Sequence, residues 1–146
     1  GVCIGGIGVG GENIKGLCIG GIGVGAEEFS GAGMGLIGVG GEELTGFFVG
    51  GIGVGAEDLR GVGLAIGGTV ARTLEGGAAS AVWTQFDDAR WFTAGAVNRA
   101  RYRMTGLQIG IVNTARNLYG VQIGLINHAG NNRKWLRYLP FINMHL

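Results

Sequence analysis

Proline is nearly missing from this chain: there is one, Pro140, in 146 residues. Charge is sparse as well, at 14%, which is low for a soluble domain. Only two histidines, His128 and His145, and two cysteines, Cys3 and Cys18, are present. Each shortage removes a class of protein. With so little proline, the abundant glycine (34 residues) does not build a collagen triple helix. No Ser/Cys–His pair at matched positions and no metal-ligand cluster marks an active site. The expectation is a protein that is not an enzyme and holds no cofactor and no metal. A charge returns about every fifteen residues, so no uncharged run reaches the roughly 20 residues of a membrane helix. There is no initiator methionine or signal peptide, and the first residue opens a repeat, so the expectation is a processed or partial chain.

What is present is a phrase of fifteen residues written four times: GVCIGGIGVGGENIK, GLCIGGIGVGAEEFS, GAGMGLIGVGGEELT and GFFVGGIGVGAEDLR. A repeat this short cannot bury its own apolar residues and must stack on copies of itself. Numbering positions 1–15 within the repeat, apolar residues fall at 2, 4, 7, 9 and 14: Val2, Ile4, Ile7, Val9, Ile14, then Leu17, Ile19, Ile22, Val24, Phe29. The local spacing of two is that of a strand. A helix would carry four or five glycines per coil at about 1 kcal/mol each. Breaks in the alternation predict corners at positions 5–6 and 10–11, where glycine relieves the backbone.

The register continues where the wording fades. Residues 61–75 keep Val62, Leu64 and Leu74 in place, and residues 76–90 keep Asp87, Asp88 and Arg90. Shorter coils follow at 106–119 and 120–133, and LRYLPFIN (136–143) fits the first eight positions again. The predicted fold is all-β: a single β-solenoid over residues 1–146, of about nine coils of 14–15 residues, with short parallel strands and Gly corners. Within it, 1–75 are regular Gly-rich acidic coils, 76–105 are divergent, and 106–146 are basic coils with a C-terminal cap.

The GVxIGGIGVG repeats, followed by the tail GLQIGIVN…GVQIGLINHAGNN…LPFIN, resemble a group of uncharacterised bacterial surface-repeat proteins. The resemblance covers nearly the whole chain and implies a solenoid that is exported or surface-associated. It implies no catalytic residue and no cofactor.

Equal positions become columns in a solenoid, and each column carries an expectation. Cys3 and Cys18 stand one period apart, about one strand spacing of 4.8 Å. Parallel in-register side chains aim poorly for a disulfide, so two thiols are expected. Asn98, Asn113, Asn127 and Asn143 align at position 8 and predict a structural Asn ladder, each amide bonding to the next. Glu12, Glu27, Glu42 and Glu57 align at position 12, with Glu28, Glu43 and Asp58 beside them, and predict a solvated acidic edge, with cation bridging as the rival reading.

Glycines at positions 6, 8 and 10 predict a bare strip suited to self-association: Gly6, Gly8, Gly10, Gly21, Gly23, Gly25, Gly38, Gly40, Gly51, Gly53 and Gly55. Cover by another segment of the chain is the bland alternative. Gly6, Gly8 and Gly11 also spell GxGxxG, but no helix is predicted after them, so a nucleotide site is not expected.

Net charge is only +1, yet all 10 acids lie within residues 1–88. The basic residues gather later, among them Arg99, Arg101, Arg103, Arg116, Arg133, Lys134 and Arg137, interleaved with aromatics. They predict docking on an anionic membrane surface or a larger complex; solvated arginines around a capped end are the plain reading, and nucleic acid is not favoured. The leading functional expectation is a non-enzymatic scaffold at or outside the cell surface, whose main partner is itself, as a homo-oligomer or filament. The second is a binding module that docks through its basic aromatic half.

Overall fold

The computed structural model describes residues 1–146. Ten strands follow in chain order: β1 (Val2–Gly5), β2 (Gly8–Gly20), β3 (Gly23–Gly35), β4 (Gly38–Gly50), β5 (Gly53–Ala65), β6 (Gly68–Ser80), β7 (Trp83–Ala94), β8 (Val97–Ile109), β9 (Val112–Ala129) and β10 (Tyr138–His145). Each pairs only with its sequence neighbours. β1 to β9 run parallel and in register at the repeat period, Val9 opposite Val24 and Val24 opposite Val39. This is a β-solenoid of about eight turns. At about 4.8 Å per strand spacing, the stack of ten is about 43 Å long.

Each coil bends at three places, and two of them differ from expectation. One bend lies at positions 6–7 (Gly6–Ile7, Gly21–Ile22), not at 5–6. The ladder still runs through it: the amide of Ile37 donates to Ile22 O (2.8 Å) and that of Ile52 to Ile37 O (2.7 Å). The second is a gap in pairing at position 12, between Ala26 and Glu28 for example, rather than at 10–11. The third is position 1. Gly46 has φ +131, and a Cβ there would collide with the Gly31 carbonyl of the coil before. Glycine meets both demands without strain, and Trp91 (φ 90) is the sole replacement in that column.

The interior is narrow. Five columns point inward: positions 3, 5, 9, 11 and 14. Position 14 supplies the bulk with Phe29, Leu44, Leu59, Leu74, Met104 and Leu118, all fully or almost fully buried. Position 9 adds Val24, Val39 and Val54. Position 5 is small throughout, and positions 3 and 11 are mostly small, with Phe48, Phe86, Gln108 and Gln122 the exceptions. A Cβ on Gly33 would come within 2.6 Å of Phe29 and 3.0 Å of Phe48, whose rings already meet edge to face at 4.9 Å.

The C-terminal end is a cap, not a tenth coil. LRYLPFIN was expected to continue the parallel register. Instead a 3₁₀ turn at Lys134–Leu136 reverses the chain, and β10 lies antiparallel on β9. Pro140 sits at the register shift between Leu139 and Phe141, where its missing N–H and the bulge interrupt the outer edge.

Candidate interaction surface

The alternation of a strand sends neighbours to opposite faces. With positions 3 and 5 inside, positions 2 and 4 must face out, and they do. Leu17, Phe47 and Val62 stand exposed at position 2; Ile19, Met34, Ile109 and Ile123 stand exposed at position 4. The bend adds Ile22, Leu36, Ile37, Ile52, Ile66 and Val82, with Ile52 at 64% and Leu36 at 75% exposure. Of the five apolar positions, only 9 and 14 lie in the core. The coil has no room for the others, so they form parallel apolar columns along one flank. More large hydrophobic side chains are exposed than lie in the buried cluster of 18.

No charged residue is built into this flank, and only the Arg90 and Arg103 side chains reach its edge, beside Trp91, Gly106 and Leu107. Positions 1–7 carry no Asp, Glu, Lys or Arg in any of the nine sequence repeats. Seven residues at about 3.3 Å wrap about 23 Å, so over the stack the uncharged flank covers roughly 1,000 Å². The largest apolar patch on an ordinary monomer is about 300–600 Å².

The acidic residues keep to positions 12–15. Glu12, Glu27, Glu28, Glu42 and Glu43 are exposed, as a solvated edge requires. From the fourth coil onward arginines join them: Arg72 to Glu57 at 3.5 Å, Arg90 to Glu75 at 3.6 Å, Arg60 to Glu75 at 3.9 Å. No group of three or more His, Cys, Asp or Glu is placed to hold a metal ion.

The glycine strip lies on the neighbouring flank. Gly8, Gly23, Gly38 and Gly53 form one outward column and Gly10, Gly25, Gly40 and Gly55 another. A Cβ at Gly10, Gly25 or Gly40 would meet only the carbonyl of the next coil, 3.7–3.8 Å away. No other segment of the chain covers them. Gly6, Gly21 and Gly51 belong to the bend instead; at Gly21 and Gly51 the preceding coil's carbonyl occupies the space a Cβ would need. Gly6, Gly8 and Gly11 run from the bend into a strand, and no helix follows.

The Asn ladder exists, one position from where it was expected. The bend loses a residue at Gly95–Ala96, so Asn98 pairs with Thr84 and falls in the inward column at position 9. Asn98 Nδ2 donates to Asn113 Oδ1 (2.7 Å), and Asn113 Nδ2 to Asn127 Oδ1 (2.8 Å). The same amides bond the bend carbonyls of Ile109 (2.7 Å) and Ile123 (2.8 Å). The ladder therefore replaces the valine column and adds a side-chain bond to carbonyls that already accept the Gly95 and Gly110 amides. Asn143 is not a rung. It lies opposite Gln122 on β10 and accepts from Asn132 Nδ2 (2.8 Å), so it ties the cap. Gln122 donates to Gln108 Oε1 at 2.7 Å in a second short ladder. Cys3 and Cys18 face each other across β1 and β2 with Cα atoms 4.6 Å apart, a separation within disulfide range.

The seven basic residues do not form one patch. Arg99, Arg101 and Arg116 line one depression. Arg103 stands elsewhere, over the ring of Tyr119 at 5.7 Å. Arg133, Lys134 and Arg137 belong to the cap around the 3₁₀ turn. Burial, and then the nearby Arg137 cation, hold His128 below the ordinary imidazole pKa. In comparisons with known proteins, the chain matches no family model, no curated protein and no solved structure.

Proposed function

We propose that the protein is a non-enzymatic scaffold that works by pairing its uncharged flank with that of a second copy, at or outside the cell surface. The carrying observation is the flank itself: roughly 1,000 Å² without a charge, ribbed by exposed Ile, Leu, Val, Phe and Met. A stable interface takes about 800 Å² per partner, so one flank is enough. A second copy is favoured as the partner because its columns repeat at the same spacing and can interdigitate along the full length. The bare strip of Gly8, Gly23, Gly38 and Gly53 beside the ribs lets a neighbouring backbone come close. Charge selects the orientation. The early coils are acidic and the late coils basic, so antiparallel copies lay unlike charges side by side, within about a Debye length. Placement at the cell surface rests on the resemblance of the tail to bacterial surface-repeat proteins. Negative-stain imaging of the purified protein tests the reading: paired or laterally bundled rods are expected, and isolated single rods at high concentration would refute it.

A further inference from the structure

We infer that the depression lined by Arg99, Arg101 and Arg116 is a binding site for a phosphate-rich anion of the diphosphate type. It is a hollow of about 380 Å³ whose walls are the three arginines and Tyr102, with Thr114 and His128 half-buried on its floor. Arg99 pairs with Thr114 across β8 and β9, and Arg116 follows two residues along β9. The two side chains therefore rise from adjacent coils, whose strands lie about 4.8 Å apart along the axis.

Three features make this more than a solvated basic edge. First, Arg99 and Arg116 make no ion pair, whereas Arg60, Arg72 and Arg90 each pair with a glutamate. No carboxylate lines the hollow. Second, Arg101 is already oriented. Its guanidinium lies 3.9 Å from Asp87, and the Gln85 amide, assigned with its oxygen toward Arg101 because only that orientation satisfies both groups, accepts from Nη2 (3.1 Å) and Nε (3.2 Å). Third, the parallel ladder of β7, β8 and β9 slips at this place, between Ala100 and Arg103. An extra residue in a ladder re-aims side chains, and here it accompanies the turn of Arg101 and Tyr102 into the hollow. Guanidinium forks match phosphate oxygens two at a time. Forks on successive coils suit an anion with more than one phosphate centre, with the Thr114 hydroxyl as a further donor.

A soluble organic diphosphate and a phosphorylated lipid headgroup present the same chemistry, so the test has two arms. Calorimetry measures binding of inorganic pyrophosphate to the full chain. Co-sedimentation measures binding to phosphatidylcholine vesicles with and without about a fifth phosphatidic acid. Circular dichroism checks that each variant keeps its strands. Binding is expected in at least one arm, weakened roughly tenfold by Arg99→Ala and again by Arg116→Ala, and unchanged by Lys15→Ala at the far end. Pyrophosphate binding alone identifies a soluble ligand, and vesicle binding alone a headgroup. Binding in neither arm overturns the inference. So does an equal loss from Lys15→Ala, which would mark general charge attraction.

Discussion

Replacing Ile37 and Ile52 together by glutamate separates surface from core at the bend. Both are apolar and recur at position 7, and by pattern alone they belong inside. In the fold they are 50% and 64% exposed, so the free protomer loses little: a change within about 0.5 kcal/mol is expected for surface sites. The paired state loses much more. The two exposures amount to about one fully exposed isoleucine, worth about 1.5–3 kcal/mol when covered. A symmetric pair counts this twice, about 3–6 kcal/mol, or roughly 10²- to 10⁴-fold in Kd. Desolvating the new carboxylates adds to the loss. Urea unfolding followed by circular dichroism and size-exclusion chromatography with light scattering read the two effects. Leu44→Ala is the contrast: it is fully buried and should lower stability by about 2–5 kcal/mol. The reasoning fails if the double variant unfolds as a core variant does, or associates as tightly as the parent.

Three further outcomes are expected. Asn113→Ala removes the middle rung and leaves Asn127 Oδ1 without its donor and the Ile123 carbonyl without its side-chain bond; a loss of about 2–4 kcal/mol is expected in denaturant titration. Gly33→Ala presses on Phe29 and Phe48 and should cost about 1–3 kcal/mol, while its added cost in a Phe48→Leu background should be smaller, which a double-mutant cycle measures. His128, held low by burial and then by Arg137, binds its proton more readily unfolded than folded. Its contribution to stability is full above the unfolded pKa near 6.5 and declines as pH falls below it; His128→Gln should flatten that part of the pH–stability curve.

The fold was legible because the period was. Fifteen-residue spacing, strand alternation and glycine punctuation lead to a parallel stack without further information, and they hold through the divergent coils. What was not legible was which side of each strand is the inside. Alternation is symmetric between faces, and a one-residue shift exchanges them. Ile4, Ile19 and Ile22 look like core because they are large and apolar, yet the coil is too narrow to hold them once Phe29 and Leu44 fill its centre. A signal was present at position 5, which is glycine, alanine or serine throughout, and at position 3, where size is traded between coils: Gly33 lies against Phe29 and Phe48. Small residues at alternate positions beside large ones mark a tight interior, and the exposed flank follows from that. The Asn column was found but misplaced, because a shortened bend at Gly95–Ala96 is invisible when the total coil length is kept by the slip between Ala100 and Arg103. The grouping of Arg99, Arg101 and Arg116 depends on that same slip. The antiparallel return of β10 could not be read from LRYLPFIN, whose pattern fits either direction.

Sedimentation equilibrium of the unmodified chain tests the central claim most directly, because it asks whether the uncharged flank finds a second copy. From about 1 μM to about 100 μM, the account predicts a concentration-dependent shift from one mass to twice that mass or more. The shift should persist at about 1 M salt, where charge pairing is screened and apolar contact is not. A single monomeric mass across that range, at both low and high salt, would contradict it.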